Sequence, residues 1–105
     1  MMTVETEYRK YVGCWLEPCN YAWDDSLALK IWNRWDGPIA TITVCLGDNT
    51  IGKDEQYVDT NNCPWAEEFI AEYNLGKPTG KMMRSGYCEY PLYEFDLDEL
   101  KKYAG

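Results

Sequence analysis

The chain predicts an α+β domain: a mainly antiparallel sheet with one amphipathic helix packed on it, and a short C-terminal helix. Three observations carry that reading. A period-two segment, Leu27 to Trp35, and a β-branched run, Ile39 to Leu46, flank the turn sequence Asp36-Gly37-Pro38, which makes an antiparallel hairpin the natural pairing. A stretch opening with Asn61-Asn62-Cys63-Pro64-Trp65 and closing at Leu75-Gly76 has helical periodicity between a start and a stop signal. An aromatic run from Tyr87 to Phe95 follows Ser85-Gly86 and leads into Asp96, a second helix cap.

Each element has its own justification. From Val4 to Leu16 apolar and polar residues roughly alternate around Val4, Tyr8, Val12, Cys14 and Leu16, with Gly13 marking a bulge or bend. Glu17-Pro18-Cys19-Asn20 reads as a turn, because Pro fixes one dihedral and Asn tolerates unusual ones. In the next strand Leu27, Leu29, Ile31, Asn33 and Trp35 share one face, and Ala28, Lys30, Trp32 and Arg34 the other. Gly47 to Asp54 is a polar loop, and Glu55 to Asp59 a short edge strand. In the helix, Asn61 or Asn62 is the cap and Pro64 sits in the first turn, where its missing N–H has no helical partner. Glu67 and Glu68 lie near the positive end of the dipole, and Trp65, Phe69, Ile70 and Tyr73 form the core-facing stripe. Gly76 takes the position after the helix end, and Thr79-Gly80-Lys81 forms a turn. Lys81 to Arg84 and Tyr87 to Phe95 make a second hairpin, with Pro91 confining the later strand to an edge or a bulge. Asp96 with Glu99 fits a capping box, and Leu97, Leu100 and Tyr103 give the last helix a buried face.

A length of 105 residues fits a single domain, 1–105, with one modest core. No run approaches the roughly 20 apolar residues of a membrane span. The opening Met-Met-Thr-Val-Glu-Thr-Glu lacks the basic and apolar regions of an export signal, so a cytoplasmic location is expected. A net charge of −8 repels nucleic acid and anionic membrane. Histidine, the commonest general base and neutral metal ligand, is absent. Cys63 beside the helix start therefore lacks the usual base of a catalytic thiol. The pair Asp96/Asp98 lacks the glycine and distal glutamate of a calcium loop, and Gly76 to Lys81 lacks the spacing of a phosphate-binding loop. A protein that is not an enzyme, with no catalytic residues, is the expectation.

Val-Asp-Thr-Asn-Asn-Cys-Pro at 58–64, Glu-Phe-Ile at 68–70, Leu-Gly-Lys-Pro-Thr-Gly-Lys at 75–81, Ser-Gly-Tyr-Cys-Glu-Tyr-Pro-Leu-Tyr-Glu-Phe at 85–95 and the closing Leu-Asp-Glu-Leu resemble a bacterial family, domain of unknown function 4313. The resemblance covers mainly the C-terminal half and is weaker over Trp15 to Trp35. It implies a small protein of phage or mobile-element origin and brings no catalytic residues.

Two candidate sites follow from residue type. The cysteines are five, an odd number that argues against a disulfide framework. Cys14 and Cys19, with four residues between them, are admissible as half of a structural zinc site that Cys63 and Cys88 complete. Such a zinc-stabilised domain would meet a partner through Trp15, Trp23, Trp32 or Trp35. The second candidate is an acidic face. Between Gly47 and Gly76 seven acids stand against Lys53 alone, and from Tyr87 to Leu100 five acids stand against no base. Asp54, Glu55, Asp59, Glu67, Glu68, Glu72, Glu89, Tyr90 and Glu94 are the expected partner-binding residues. Their partner would be a protein with a basic surface, such as a nucleic-acid-binding protein, occluded by a nucleic-acid mimic of the anti-CRISPR type.

Overall fold

The computed structural model describes residues 1–105 and resolves the expected sheet into two four-stranded sheets, antiparallel throughout. The first carries β1 (Met2–Glu5), β2 (Lys10–Asn20), β3 (Leu27–Asn33) and β4 (Gly37–Thr41) in sequence order. The second is built from β5 (Thr43–Val44), β6 (Glu55–Val58), β7 (Gly76–Ser85) and β8 (Cys88–Phe95), in the spatial order β5-β6-β8-β7. Two short helices, α1 (Ala66–Glu72) and α2 (Leu97–Lys102), complete the α+β architecture. Neither is long and apolar enough to cross a membrane.

The sheets meet at Ile42. The expected strand Ile39 to Leu46 is broken there: Ile42 N–H still donates to Leu29 O (3.0 Å), while Ile42 O accepts from Asp59 N (2.8 Å). Beside it the Thr43 hydroxyl accepts from Leu29 N–H (3.1 Å), taking the place of the main-chain acceptor lost as the chain leaves the first sheet. Met2, Val4, Cys14, Leu16, Leu29 and Ile31 from the first sheet pack against Val58, Tyr93 and Phe95 of the second, with Phe69, Ile70 and Leu100 from the helices closing the core.

Several local expectations change. Glu17-Pro18-Cys19-Asn20 is not a turn but the end of β2. Pro18 is tolerated because β2 pairs there with β3 on one side only, the β1 pairing having ended at Cys14. Beyond β1 the C-terminal tail takes over that edge, with Leu16 N–H donating to Tyr103 O (2.8 Å). Leu27, Leu29, Ile31 and Asn33 face inward as expected, but Trp35 lies in the following turn and is exposed. That turn is held by Asn33, whose Oδ1 accepts from Asp36 N–H (2.7 Å). β6 is internal rather than an edge, lying between β5 and β8. Pro91 sits opposite Met82, on the part of β8 that extends past the β6 pairing.

The helices are shorter than their periodicity suggests. α1 begins after Trp65 without a side-chain cap. Asn61 and Asn62 belong to a preceding turn, in which Asp59 accepts from Asn62 N–H (3.1 Å) and from its side-chain amide (3.0 Å). At the other end Asn74, with φ 54°, takes the left-handed position assigned to Gly76. Gly76 is required for a different reason: a Cβ there would lie 2.6 Å from Glu94 O, because β7 begins at this residue. Gly76→Ala is therefore expected to cost about 1–3 kcal/mol, read as a lower urea midpoint with an unchanged slope. Thr79-Gly80-Lys81 falls within β7, at its bulge between Pro78 and Met82. Asp96 does cap α2, accepting from Asp98 N–H (3.1 Å) and Glu99 N–H (3.2 Å). Glu99 does not return the bond; it pairs with Lys102 Nζ (2.6 Å). Leu97, in the first turn of α2, stays largely exposed, while Leu100 is buried.

A smaller cluster lies on the outer face of the second sheet. Tyr57 and Leu92, opposite each other in the β6–β8 register, are buried there outside the main core. Asp48 from the polar loop reaches over them. Its carboxylate accepts from the Tyr57 hydroxyl (2.7 Å), Lys81 Nζ (3.0 Å), Thr50 N–H (3.0 Å) and the Thr50 hydroxyl (2.6 Å). These donors hold the Asp48 carboxyl well below the usual range, the Thr50 hydroxyl first among them.

Candidate protein-binding groove

An open groove of about 730 Å³ runs between the β1–β2 hairpin and α1. Its floor is apolar, made by Pro64, Trp65 and Phe69, and its rim carries Glu5, Glu7, Glu68 and Glu72 without a cation. The helix side follows from spacing. Glu68 and Glu72 are four apart and share a face, Ile70 anchors the opposite side in the core, and buried Phe69 lies between the two. Trp65, Phe69 and Tyr73 continue the i, i+4 series as an aromatic column, with ring centroids 5.9 Å and 5.2 Å apart.

The hairpin side is positioned by Tyr73. Its hydroxyl accepts from Thr3 N–H (2.7 Å) and donates to Thr3 O (3.3 Å), fixing β1 to the end of α1. The chain then turns at Thr6, whose hydroxyl accepts from Tyr8 N–H and Arg9 N–H (both 3.2 Å). That turn holds Glu5 and Glu7 at the rim opposite Glu68 and Glu72 and leaves Tyr8 exposed at the tip. Arg9 does not neutralise the rim, since its guanidinium pairs with Asp36 (3.5 Å) and lies 4.4 Å over the Tyr11 ring.

Of the expected partner-binding residues, only Glu68 and Glu72 line this groove. Glu67, on the same helix, accepts from the Tyr93 hydroxyl (2.7 Å); burial, and then this bond, push that phenol well above its usual range. Asp59 is spent on the turn before α1, and Glu55 accepts from Gly52 N–H (2.7 Å). Glu89 and Tyr90 stand opposite Arg84 and Met83 on the far hairpin. Asp54 and Glu94 line a second cleft together with Asp96 and Asp98, where Lys77 and Lys101 offset the charge and Lys77 lies 3.6 Å from Glu94. The nine residues therefore do not form one face, because successive acids in a run point to different sides of the sheet and helix that carry them. Glu5 and Glu7 were missed. Their two-residue spacing next to a strand was the available signal, but they lie outside both acidic runs.

The cysteines do not assemble either. Cys14 and Cys19 are five positions apart on β2 and so face opposite sides of the sheet. Cys14 is buried and its thiol points at Tyr11 O (3.5 Å); burial raises its pKa. Cys63 is buried against Thr41 O (3.8 Å), and burial pushes its thiol up to about 11, the reverse of an activated thiolate. Cys88 closes the β7–β8 hairpin opposite Ser85. No three potential ligands converge, so the four residues do not fit the proposed zinc site.

Neither a search of curated proteins nor a search of solved structures finds a match. The family model described as Domain of unknown function (DUF4313) matches residues 15–105, a span that includes the tryptophan-rich β2–β3 segment as well as the C-terminal half. The chain belongs to that family.

Proposed function

We propose that the protein is a small, acidic, non-enzymatic binding module that uses the groove between the β1–β2 hairpin and α1 to occlude a basic surface on a partner protein. The observation that carries this reading is the set of four carboxylates, unaccompanied by a cation, around the apolar floor of Trp65 and Phe69. A like-signed rim steers and orients a cationic partner, while the half-buried Trp65 ring and exposed Pro64, backed by buried Phe69, supply the apolar contact area that typically anchors an interface. Nucleic-acid-binding proteins carry the extended basic surfaces that fit such a rim. An anti-defence inhibitor carried by a phage or mobile element, acting as a nucleic-acid mimic on a host nuclease, is the most specific form of the proposal.

The test is affinity capture from a nuclease-treated bacterial lysate, comparing the natural chain with two double variants. Glu68→Lys/Glu72→Lys is expected to lower affinity about tenfold or more. Asp54→Lys/Glu94→Lys, in the second cleft, is expected to leave it nearly unchanged. The natural complex should weaken as salt rises from about 50 mM to about 300 mM, because rim charges are screened over this range. Equal losses for the two variants, or capture indifferent to salt, would remove the groove from the account.

A further inference from the structure

β7 forms an open edge of the second sheet. Its hairpin with β8 turns through Gly86, with φ 64°, and Tyr87, leaving Ser85 opposite Cys88. This is the glycine-first, two-residue geometry, in which the closing pair exchange hydrogen bonds with each other. Main-chain groups alternate along an antiparallel strand. Ser85 and Met83 therefore turn theirs toward β8, while Arg84 and Met82 turn theirs outward. Pro91 opposite Met82 fits this alternation, since that position needs no N–H directed at β7.

We infer that a second copy of this chain docks on this edge, β7 against β7 and antiparallel, about a twofold axis through Met83. Met82 of each copy then exchanges N–H and C=O bonds with Arg84 of the other, and the second sheet continues across the axis. The side chains are compatible with this register. Met83 meets its own equivalent, with Tyr90 beside each on the same face. Arg84 stands next to Met82 of the second copy and Glu89 of its own, so no like charges are opposed. A charge of −8 on each copy opposes association in general, but this edge is locally neutral. Lys77 is offset by Glu94 (3.6 Å) and Lys81 by Asp48 (3.0 Å). Arg84 in turn stands opposite Glu89, so each cation of the edge already faces an acid of its own chain, which favours a second copy over an acidic peptide. Pro78 and the bulge before Met82 limit pairing to Lys81–Ser85, giving a short and reversible contact.

Sedimentation velocity between about 10 µM and about 1 mM is the test, the range in which a contact of this size associates. The expected result is a concentration-dependent dimer that strengthens with salt, as screening relieves the net repulsion. The Met82 and Arg84 amides should exchange more slowly as concentration rises. Arg84→Pro removes an outward N–H and none of the hairpin's own hydrogen bonds, and should abolish the dimer. Met83→Lys, which places like charges on the axis and leaves the hairpin bonds untouched, should weaken it at least about tenfold. A monomer throughout the concentration range would overturn the inference. So would a dimer that persists in both variants.

Discussion

Phe69→Ala is expected to destabilise the protein by about 3–5 kcal/mol. α1 spans only Ala66–Glu72 and has no side-chain N-cap. A helix this short has little stability of its own and persists through its tertiary contacts. Phe69 provides the central one: it is buried, edge-on to Trp65 and tilted against Tyr73. Truncating it opens a cavity beneath the groove floor and releases the rings on both sides. Against a total stability of about 5–15 kcal/mol for a domain of this size, the loss is large enough to populate unfolded chain at room temperature. Urea unfolding followed by tryptophan fluorescence reads it directly. A change below about 1 kcal/mol would mean that α1 is not held by the packing described.

Asp48→Ala is expected to cost about 1–3 kcal/mol, on the order found when a hydrogen-bonded charged group is removed and its donors lose their partner. Only 6% of the Asp48 side chain is exposed, and the Tyr57 hydroxyl beneath it would be left without an acceptor. The same site sets an acid limb. The folded-state pKa of Asp48 lies below the unfolded value of about 3.9. The folded protein therefore releases this proton more readily, and the stabilisation is complete above that pH. It declines as pH falls through the unfolded value toward the folded one. The natural chain should lose stability steadily below about pH 4, and Asp48→Ala should show a shallower decline over the same window. Parallel profiles for the two proteins would contradict the assignment.

Periodicity carried most of the fold. The alternation of Leu27, Leu29, Ile31 and Asn33, the pairing within each hairpin and the Asp96 cap stand where the residues placed them. Both turns shift by a residue or more: the first is Arg34 to Asp36, with Gly37 and Pro38 already in β4, and the second is Gly86-Tyr87, with Ser85 still in β7. What periodicity could not carry was how strands share edges. Pro18 looked like a turn because a proline breaks a fully paired strand, and local sequence does not reveal that β1 ends before reaching it. The break at Ile42 was hidden for a similar reason, since the β-branched residues run on from Ile39 through Val44 without interruption by a turn residue and only the pairing partners change. The helix was overextended because Asn61, Asn62 and Pro64 fit a helix start as well as the separate turn that Asp59 builds.

The site was less legible than the fold. Counting acids along the chain found Glu68 and Glu72 but also collected Asp59, whose oxygens serve the fold, and Glu67, bonded to Tyr93. Glu5 and Glu7 meet Glu68 and Glu72 only because Tyr73 grips Thr3 across 70 positions of sequence. Long-range contacts of this kind leave no local signature. The cysteines show the opposite difficulty: the four-residue spacing suits a metal pair, but a strand sends Cys14 and Cys19 to different faces.

The most direct measurement is an NMR titration of the labelled protein with a short oligo-arginine peptide, a minimal stand-in for a basic partner surface. The account predicts saturable shifts centred on the amides of Glu5, Glu7, Trp65, Glu68 and Glu72, weakening with salt and lost in Glu68→Lys/Glu72→Lys. Shifts spread evenly over all carboxylates, or centred on Asp54, Glu94, Asp96 and Asp98, would contradict it.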